Sequence, residues 1–542
     1  MVRLAVFGLL AAVASGFPSN TLSSGEKGRR QYEGPPRPPQ PHETPPYGIP
    51  PPYETPPPVA PLRAQAVVDA FKVSWDGYYE YAFPMDELMP VSNNGSNSRN
   101  GWGASAIDAL STALLMNQTT TVHQMLTYIP TINWTSTDST VSLFETTIRY
   151  LGGLLSAYDL LTGPLVHLVD NTEHVDALLT QAMHLANNLS YAFETPSGVP
   201  WNNLIFSNRT GQGATNGLAT VGTLILEWVR LSDLTGNTTY ANLVQRAESY
   251  LLSPSPSSSE PFPGLVGSSI NVTTGLFTNA RGGWGGGTDS FYEYLIKMYV
   301  YDDHRYEMLK DRWIMAADSS IKYLASRPVT RQHLTFLARY NGTELILESS
   351  HLACFHGGNF ILGGTVLERQ DYVDFGLELV RGCHATYTAT ATGIGPEAFS
   401  WNASSVPTDQ LDFFHRNGFY IKDAGYQLRP EVIESYYYAY RATGDAKYQD
   451  WAWDAFLAIN ATTRVGSGYS SIEDVDVVGG GNFTDFQESF WFAEVLKYSY
   501  LIQAGEAEWQ VVGQGNNEWV FNTEAHPVKV FGGEGGGRAG RL

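Results

Sequence analysis

Glu145 and Arg149 are charged residues in a stretch that otherwise reads as protein interior. Apolar residues of segment 141–158 cover most of a helical circumference, and such a helix is usually an interior helix. Residues four apart share one helical face, and a buried charge without a partner is very costly. We therefore expect the pair to compensate each other or to face a polar cavity. Ser142 keeps a second interpretation open, because Ser142-x-x-Glu145 is also a capping box, in which Glu145 would only close the helix start.

The same local pattern recurs at three later places in the chain. An acid, a serine and then aromatic residues open apolar runs at Asp289, Glu434 and Glu488. Pro430 suits a first helical position, which places Glu431 and Glu434 in the first helical turn. If these helices pack side by side in one direction, their acids converge at one end of a core. The recurrence predicts an acidic pocket floored by aromatic side chains.

Helical periodicity dominates the elements that must position these acids. Helices are predicted over 66–75, 104–116, 141–158, 173–194, 215–235, 239–252, 289–300, 304–326, 370–390, 431–443, 446–460 and 486–503. Strand-like alternation is sparse, and the best case is 334–347. An all-α domain with helix starts pointing acids one way predicts a ring of helical hairpins, that is, an α/α barrel.

Composition shifts divide the chain into four segments. Residues 1–16 carry Arg3 and a short apolar run, which is typical of a secretory signal peptide. Residues 17–63 form a spacer in which 14 of the 27 residues of 35–61 are proline, and such a segment lacks a core of its own. One domain is expected over 64–530. The Gly-rich tail 531–542 is expected to be disordered.

The net charge indicates which binding partners are excluded, and the glycosylation sequons indicate where the protein is located. The net charge of −21 argues against a nucleic-acid partner, and the chain's wealth of tyrosine and tryptophan is compatible with neutral ligands such as sugars. No segment after the signal peptide is long and apolar enough to span a bilayer. Export, either from the cell or into the lumen of the secretory pathway, is supported by 11 Asn-x-Ser/Thr sequons. They lie at Asn94, Asn117, Asn133, Asn188, Asn208, Asn237, Asn271, Asn341, Asn402, Asn460 and Asn482.

The chain has two cysteines, Cys354 and Cys383. An even number in an oxidising compartment favours a disulfide over a metal or redox role. Bridging them would close a loop of about 30 residues, worth roughly 3–4 kcal/mol in the chain-entropy model.

Six stretches of the chain resemble the motifs of one protein family. They follow one another in the same order as in that family and together span about 460 residues. They are residues 144–158, Trp102-Gly103-Ala104 with Asp108-Ala109-Leu110, residues 289–295, residues 428–435 around Arg429-Pro430-Glu431, residues 487–498, and the ending Phe521-Asn522-Thr523-Glu524-Ala525-His526-Pro527. The chain is similar in these stretches to the class I α-mannosidases, glycoside hydrolase family 47.

The resemblance implies an (α/α)7 barrel, inverting hydrolysis of α1,2-linked mannose from high-mannose N-glycans, a bound Ca2+ and a monomer. By motif, the catalytic carboxylates are Glu145, Asp289 and Glu431, and the Ca2+ ligand is Thr523. Residues implied to hold the sugar or the ion's waters are Arg149, Glu293, Glu397, Arg429, Glu434, Glu488 and Glu524. Cys354 and Cys383 match the family disulfide.

Physical chemistry restricts which of these carboxylates can act as the acid and the base, and how many Ca2+ ligands the protein supplies. Inverting hydrolysis needs an acid and a base about 6.5–9.5 Å apart, so the neighbours Glu431 and Glu434 are too close to be the two. Ca2+ prefers six to eight oxygen ligands, and one threonine supplies two of them. The roles of the three catalytic acids stay open. Lone histidines such as His351 and His526 are more often packing residues than zinc ligands.

Gly287 bears on specificity. In the family, an arginine two residues before the aspartate that matches Asp289 accompanies trimming of a single mannose, and a smaller residue accompanies broad trimming. Glycine predicts removal of every accessible α1,2-mannose, although Gly287 could also merely make the loop flexible. Two alternatives remain: a lectin-like, non-catalytic protein of glycoprotein quality control on the same barrel, and an α/α-barrel hydrolase of plant or fungal polysaccharides, which the Thr523 ending disfavours.

Overall fold

The computed structural model describes residues 59–513 and 515–532. The predicted signal peptide 1–16, the Pro-rich spacer up to residue 58 and the tail from residue 533 lie outside the described residues. The first helix begins at Val59, ahead of residue 64, where the sequence places the start of the domain. Among the described helices, none is long and apolar enough to cross a membrane.

The α-helices are numbered in chain order. They are α1 (Val59–Tyr81), α2 (Ala104–Leu115), α3 (Thr119–Tyr128), α4 (Leu143–Thr146), α5 (Gly152–Thr162), α6 (Thr172–Leu189), α7 (Leu218–Gly222), α8 (Ile225–Thr235), α9 (Thr238–Leu252), α10 (Asp289–Tyr301), α11 (Glu307–Ser319), α12 (Phe355–Val366), α13 (Gln370–Thr388), α14 (Leu411–Asn417), α15 (Glu431–Thr443), α16 (Lys447–Thr463) and α17 (Leu496–Leu501). π-helical turns lie at Thr147–Leu151, Ser320–Leu324 and Trp491–Val495, and 3-10 turns at Ile129–Thr131, Val166–Leu168, Ser190–Phe193, Ser257–Ser259, Leu352–Cys354 and Thr408–Gln410.

The helices form a closed ring of seven hairpins, the predicted (α/α)7 barrel. The inner helices follow one another around the ring in the order α2, α5, α8, α10, α12, α15 and α17, and the π-helical turn before α17 contacts α2. Outer partners are α3, α6, α9, α11, α13 and α16, while α1 pairs with α17 and completes the seventh hairpin. Every residue of α2 is buried, as expected of an inner helix surrounded by other helices.

Helix α12 is an inner helix that helical periodicity does not predict. Its four glycines lower helix propensity, yet they are needed for close packing. A Cβ at Gly358 would lie 2.7 Å from the Tyr438 ring of α15, and one at Gly363 would lie 2.2 Å from Trp313 of α11. Tertiary contacts therefore override local preference here. The predicted helix 215–235 is also wrong in extent, because its first residues form a strand and the rest splits into α7 and α8.

Short antiparallel strands occupy the loops between helices. They are β1 (Glu87–Met89), β2 (Asn94–Ser96), β3 (Val141–Ser142), β4 (Asn203–Ile205), β5 (Thr210–Gln212), β6 (Thr215–Gly217), β7 (Ser269–Asn271), β8 (Arg281–Gly282), β9 (Ala325–Ser326), β10 (Phe336–Leu337), β11 (Arg339–Asn341), β12 (Glu344–Ile346), β13 (Glu348–Ser350), β14 (Ala398–Ser400), β15 (Tyr420–Asp423), β16 (Arg464–Val465), β17 (Gly468–Tyr469), β18 (Trp519–Phe521) and β19 (Pro527–Lys529). The pairings are β1–β2, β3–β4–β5, β6–β7, β8–β11–β12, β9–β10, β13–β14–β15, β16–β17 and β18–β19.

The β18–β19 hairpin closes the interior of the barrel. Its six strand residues are all buried, β18 contacts α10, and β19 contacts α5. The backbone N–H of Lys529 donates to Asp159 of α5 at 3.0 Å, and that carboxylate also receives Arg230 of α8 at 2.6 Å. The connection between the two strands, residues 522–526, is thereby held inside the barrel, where Thr523 reaches the site described below.

Candidate active site

A cavity of about 360 Å³ lies where several inner helices begin. Its wall carries eight carboxylates, at Glu145, Asp289, Glu293, Glu431, Glu434, Glu488, Glu494 and Glu524, and three arginines, at Arg99, Arg149 and Arg429. Phe144, Phe355 and Phe490 supply the aromatic part of the wall. The structure thus brings together the acids that open separate helices, and their number exceeds that of the cations beside them.

Glu145 is held in the cavity by Arg149, one helical turn further along. The Ser142 hydroxyl accepts the Glu145 N–H at 3.3 Å and so caps α4. The Glu145 carboxylate does not complete the capping box but accepts Arg149 Nε at 3.1 Å and Nη2 at 2.9 Å. Burial acts to raise the pKa of Glu145, but Arg149 and Arg99 outweigh it and hold that pKa below its ordinary value. Glu145 is therefore an ionised wall residue.

Arg149 joins three carboxylates from different elements. Besides Glu145, its Nη1 contacts Glu524 of the hairpin connection and lies 3.6 Å from Asp108 of α2. Its guanidinium also lies over the Phe490 ring, 5.6 Å from the centroid. A buried cation shared in this way is compensated on all sides, and it fixes the relative positions of three parts of the cavity wall.

Glu431 is the first residue of α15, and a buried histidine orients its carboxylate. His351 Nδ1 lies 2.7 Å from Glu431 Oε2, and the other ring nitrogen lies 2.8 Å from the Tyr387 hydroxyl. Burial acts to raise the pKa of Glu431, but the hydrogen bond and charge of His351, together with Arg429, keep that pKa below its ordinary value. His351 is thus a positioning residue for a carboxylate.

Asp289 is the first residue of α10, and its environment favours the protonated form. Burial raises its pKa to about 7, and the nearby carboxylates Glu293 and Glu431 act in the same direction. Its polar contact is local, since Oδ1 accepts the Ser290 N–H at 3.0 Å. The same cavity therefore holds one acid with a raised pKa, Asp289, and one with a lowered pKa, Glu431.

Glu397 is placed differently from the other predicted sugar contacts. It stands behind Arg429 instead of on the cavity wall, accepting Arg429 Nε at 2.6 Å and the Gln427 N–H at 2.9 Å. Arg429 itself lines the cavity. Glu397 is best described as the residue that orients Arg429 and the turn before α15.

The remaining predicted contacts, Glu293, Glu434 and Glu488, all line the cavity. Glu293 pairs with buried Lys297, one turn further along α10. Burial raises the pKa of Glu434 to about 8, and its Oε1 accepts the Tyr498 hydroxyl at 3.3 Å. Burial also raises the pKa of Glu488, whose Oε2 lies 3.8 Å from Arg99.

Thr523 lies at the tip of the β18–β19 connection and lines the cavity. The Tyr294 hydroxyl accepts the Thr523 N–H at 3.2 Å, while the Thr523 hydroxyl and carbonyl oxygens have no hydrogen-bond partner among the described residues. The connection is fixed by the Asn522 amide oxygen, which accepts the Glu524 and His526 N–H groups at 3.0 and 2.8 Å. Lys497 donates to the Ala525 carbonyl at 2.6 Å.

This donor set fits a calcium ion. Ca2+ takes oxygen ligands and no nitrogen or sulfur, and Thr523 offers two free oxygens beside a wall rich in carboxylates. Burial raises the pKa of both Glu494 and Glu524 well above the ordinary value, and Glu494 is affected next by Glu524. Such crowding is what a divalent cation relieves, because a nearby positive charge favours the ionised form of each carboxyl.

Gly287 and the disulfide occupy the surroundings of the cavity. Gly287 is exposed at its mouth with φ +92°, and a Cβ there would meet nothing within 4 Å. Cys354 and Cys383 form the predicted disulfide, which joins the 3-10 turn before α12 to α13. The bond ties the segment carrying His351 to an outer helix.

Sequence reasoning missed three residues that the structure places at or beside the site: Arg99, Lys297 and Glu494. It interpreted His351 as a packing residue, whereas the structure places it in contact with the Glu431 carboxylate. Glu494 and Lys297 each lie within an apolar helical run, and a charge in such a run is the signal by which Glu145 and Arg149 are found. Arg99 lies in a Gly/Asn/Ser loop without periodicity, so no comparable signal marks it.

The fold and the site define the class of the protein as an (α/α)7 barrel with an acid-lined central cavity. The profile of Glycosyl hydrolase family 47 matches residues 70–530, and the chain belongs to this family. It is 60% identical over 471 residues to the mannosyl-oligosaccharide alpha-1,2-mannosidase of Coccidioides posadasii, covering 86% of this chain and 91% of that protein. It is 59% identical over 469 residues to mannosyl-oligosaccharide alpha-1,2-mannosidase 1B of Aspergillus phoenicis, with 86% and 91% covered.

A solved structure supports the same assignment. The alpha-1,2-mannosidase from Trichoderma reesei superposes with a TM-score of 0.86 at 52% sequence identity, covering 87% of this chain and 99% of the other. At this identity the likeness extends to the family as well as to the fold.

Proposed function

We propose that this glycoside hydrolase removes terminal α1,2-linked mannose from high-mannose N-glycans, with inversion at the anomeric carbon. The observation that carries the proposal is the convergence of Glu145, Asp289 and Glu431 on one cavity, in a chain about 60% identical to proteins named for this reaction. The three acids come from separate helices, as an acid and a base on opposite faces of a sugar require.

Opposite shifts in pKa support an assignment of the acid and the base. Glu431, whose pKa is held low, is the base that takes a proton from water as the water oxygen attacks the anomeric carbon. Asp289, with a pKa of about 7, is the acid that protonates the leaving glycosidic oxygen on the other face. Arg149 and Arg99 keep Glu145 ionised, so Glu145 is the weaker candidate for the acid.

Calcium is part of the proposal. Thr523 would hold the ion through its hydroxyl and carbonyl oxygens, with Glu434, Glu488, Glu494 and Glu524 placed to hold its waters. When bound, the ion supplies positive charge that orients sugar hydroxyls. The protein's own part is to present those oxygens on a connection that Asn522 and Lys497 keep rigid.

The proposal also includes a broad specificity for mannose branches and a secreted or lumenal localisation. The open space at Gly287 supports removal of all accessible α1,2-mannoses, since no side chain there excludes a branch. The disulfide between Cys354 and Cys383 and the many sequons support a secreted or lumenal protein. Glycoprotein or free oligomannose is the expected partner.

The deciding experiment is a time course on a nine-mannose N-glycan with products resolved by branch. We expect stepwise loss of α1,2-mannoses down to the five-mannose core. Binding without any release of mannose, under conditions with Ca2+ present, would instead favour the lectin-like alternative.

A further inference from the structure

A second groove, which shares no lining residue with the catalytic cavity, runs along the outer helix α3. It has a volume of about 750 Å³ and is bordered by Thr119, Thr120, His123, Gln124, Thr127, Tyr128 and Thr131 on one side and by Tyr79 and Phe83, at and beyond the end of α1, on the other. At 1.5 Å rise per residue, α3 gives the groove a length of about 15 Å. None of these residues has a role in the proposed hydrolysis.

Stacked aromatic rings form one wall of this groove. Tyr79 stacks on Phe83 with centroids 5.0 Å apart and on Trp75 at 5.9 Å, and Phe83 meets Tyr128 edge-on at 4.9 Å. Tyr79 is 42% exposed. The face of an aromatic ring carries negative charge and attracts weakly positive C–H groups, which a sugar ring presents on its apolar face.

Polar groups form the opposite wall. The threonines at 119, 120 and 127 and His123 are exposed. Gln124 also lines the groove, and its side chain is fixed because its Oε1 accepts Trp75 Nε1 at 2.8 Å. His123 is oriented by a 2.7 Å contact between Nδ1 and the Thr119 carbonyl. An aromatic face opposite hydroxyl and amide groups matches the apolar faces and hydroxyls of a saccharide.

A sequon lies at one end of the groove. Asn117 is exposed, and Thr119, the third residue of its Asn-Gln-Thr sequon, lines the groove. Two residues span at most about 7 Å of chain, so a glycan on Asn117 starts at the end of the groove that Thr119 lines. Attachment this close gives the sugar a local concentration in the millimolar range, which suffices for weak stacking contacts.

We propose that this groove seats the inner sugars of an N-glycan carried by Asn117, stacked on Tyr79 and Phe83. The glycan covers an exposed aromatic patch that would otherwise be a site of nonspecific association. The inference requires passage through the secretory pathway but is independent of the catalytic proposal.

The test measures how fast a peptide N-glycanase releases each glycan from the native, secreted protein, resolved by glycopeptide mass spectrometry. Tyr79→Ala is expected to speed release at Asn117 by about two- to tenfold. Release at the exposed sequons Asn237 and Asn341 should not change, and they serve as internal controls. The matched variant is Tyr81→Ala, since Tyr81 is also exposed on α1 but does not line the groove, and it should leave the Asn117 rate unchanged.

A second measurement distinguishes loss of the contact between the glycan and the groove from a local destabilisation of the protein by Tyr79→Ala. Thr119→Ala removes the sequon, whereas Thr119→Ser keeps it. Tyr79→Ala should lower Tm less in the Thr119→Ala background than in the Thr119→Ser background, because the contact is already lost. An unmodified Asn117 beside occupied sequons, or equal release rates in all variants, would overturn the proposal. Two further results would also overturn it. One is that Tyr79→Ala speeds proteolysis of the Pro-rich segment and leaves the glycan on Asn117 unaffected. The other is that the groove binds free oligosaccharide while Tyr79→Ala has no effect at Asn117.

Discussion

At the scale of single residues, the site is defined by carboxylates whose pKa values are pushed in opposite directions. His351 and Arg429 counter the burial of Glu431, whereas burial and two further carboxylates raise the pKa of Asp289, and no cation of the described residues is among the causes of its shift. Such a separation of pKa values between neighbouring acids is how one site supplies both a proton donor and a proton acceptor. The two residues can therefore be tested separately.

Glu431→Gln is expected to lower kcat by about 10²–10⁴-fold, the usual contribution of a general base. The amide keeps the shape and can still contact His351, so Tm should change little. Steady-state kinetics on an α1,2-linked mannose substrate, with thermal unfolding of the same preparation, measures both. Turnover close to that of the unmodified protein would remove Glu431 from the mechanism.

The dependence of kcat/KM on pH should be bell-shaped. The base must be ionised, so activity falls as pH drops through the pKa of Glu431, below its ordinary value of 4.5. The acid must be protonated, so activity falls as pH rises through about 7, the pKa of Asp289. In Asp289→Asn the residual activity should lose the alkaline limb and keep the acidic one. An alkaline limb unchanged in that variant would assign the proton donor elsewhere.

At the scale of elements, the proposed branch specificity rests on the loop before α10. Gly287 has φ +92°, a conformation that side chains adopt with strain, and open space around it. Gly-rich sequence correctly predicts a loop without side-chain barriers. Gly-rich sequence does not predict helix α12. The glycines of α12 allow neighbouring helices to pack closely, and only the positions of those helices show this. Helix α3 is missed for a related reason, since its run of β-branched threonines weakens the helical signal.

Gly287→Arg is expected to narrow the products of the nine-mannose time course, because a long side chain would stand at the cavity mouth. Gly287→Ala is the matched control, since it carries the same backbone strain without the reach. The arginine variant should accumulate an intermediate with most mannoses still present, while the alanine variant should reach the same end product as the unmodified chain, more slowly at most. Identical product sets for the two variants would show that this position does not set specificity.

At the scale of the whole molecule, seven hairpins and one penetrating β-hairpin build the site together. The barrel class follows from helical periodicity and from acids at helix starts, but the seventh hairpin pairs α1 with α17, a contact across the full length of the domain. Local pattern cannot show such a contact. The same holds for Thr523, the proposed Ca2+ ligand, which stands in an ordinary sequence context, and for His351, whose partner Glu431 lies 80 residues away.

Removal of Ca2+ tests the proposed ion site at the connection between β18 and β19. An ion bound only to the folded state stabilises it by about 2.7 kcal/mol at a concentration 100 times its Kd. Chelation should therefore lower both Tm and activity, and added Ca2+ should restore them. In Thr523→Val, which keeps the shape but loses the hydroxyl, Tm should respond much less to Ca2+. A protein equally stable and active after exhaustive chelation would contradict the assignment of Thr523.

The most direct test of the central claim is the configuration of the mannose first released. Proton NMR during hydrolysis of an α1,2-linked oligomannose, faster than the two anomers interconvert, distinguishes the products. We predict that β-mannose forms first and that Glu431→Gln releases almost none. Initial release of α-mannose, or no release of mannose by the unmodified protein, would contradict inverting hydrolysis by Glu431 and Asp289.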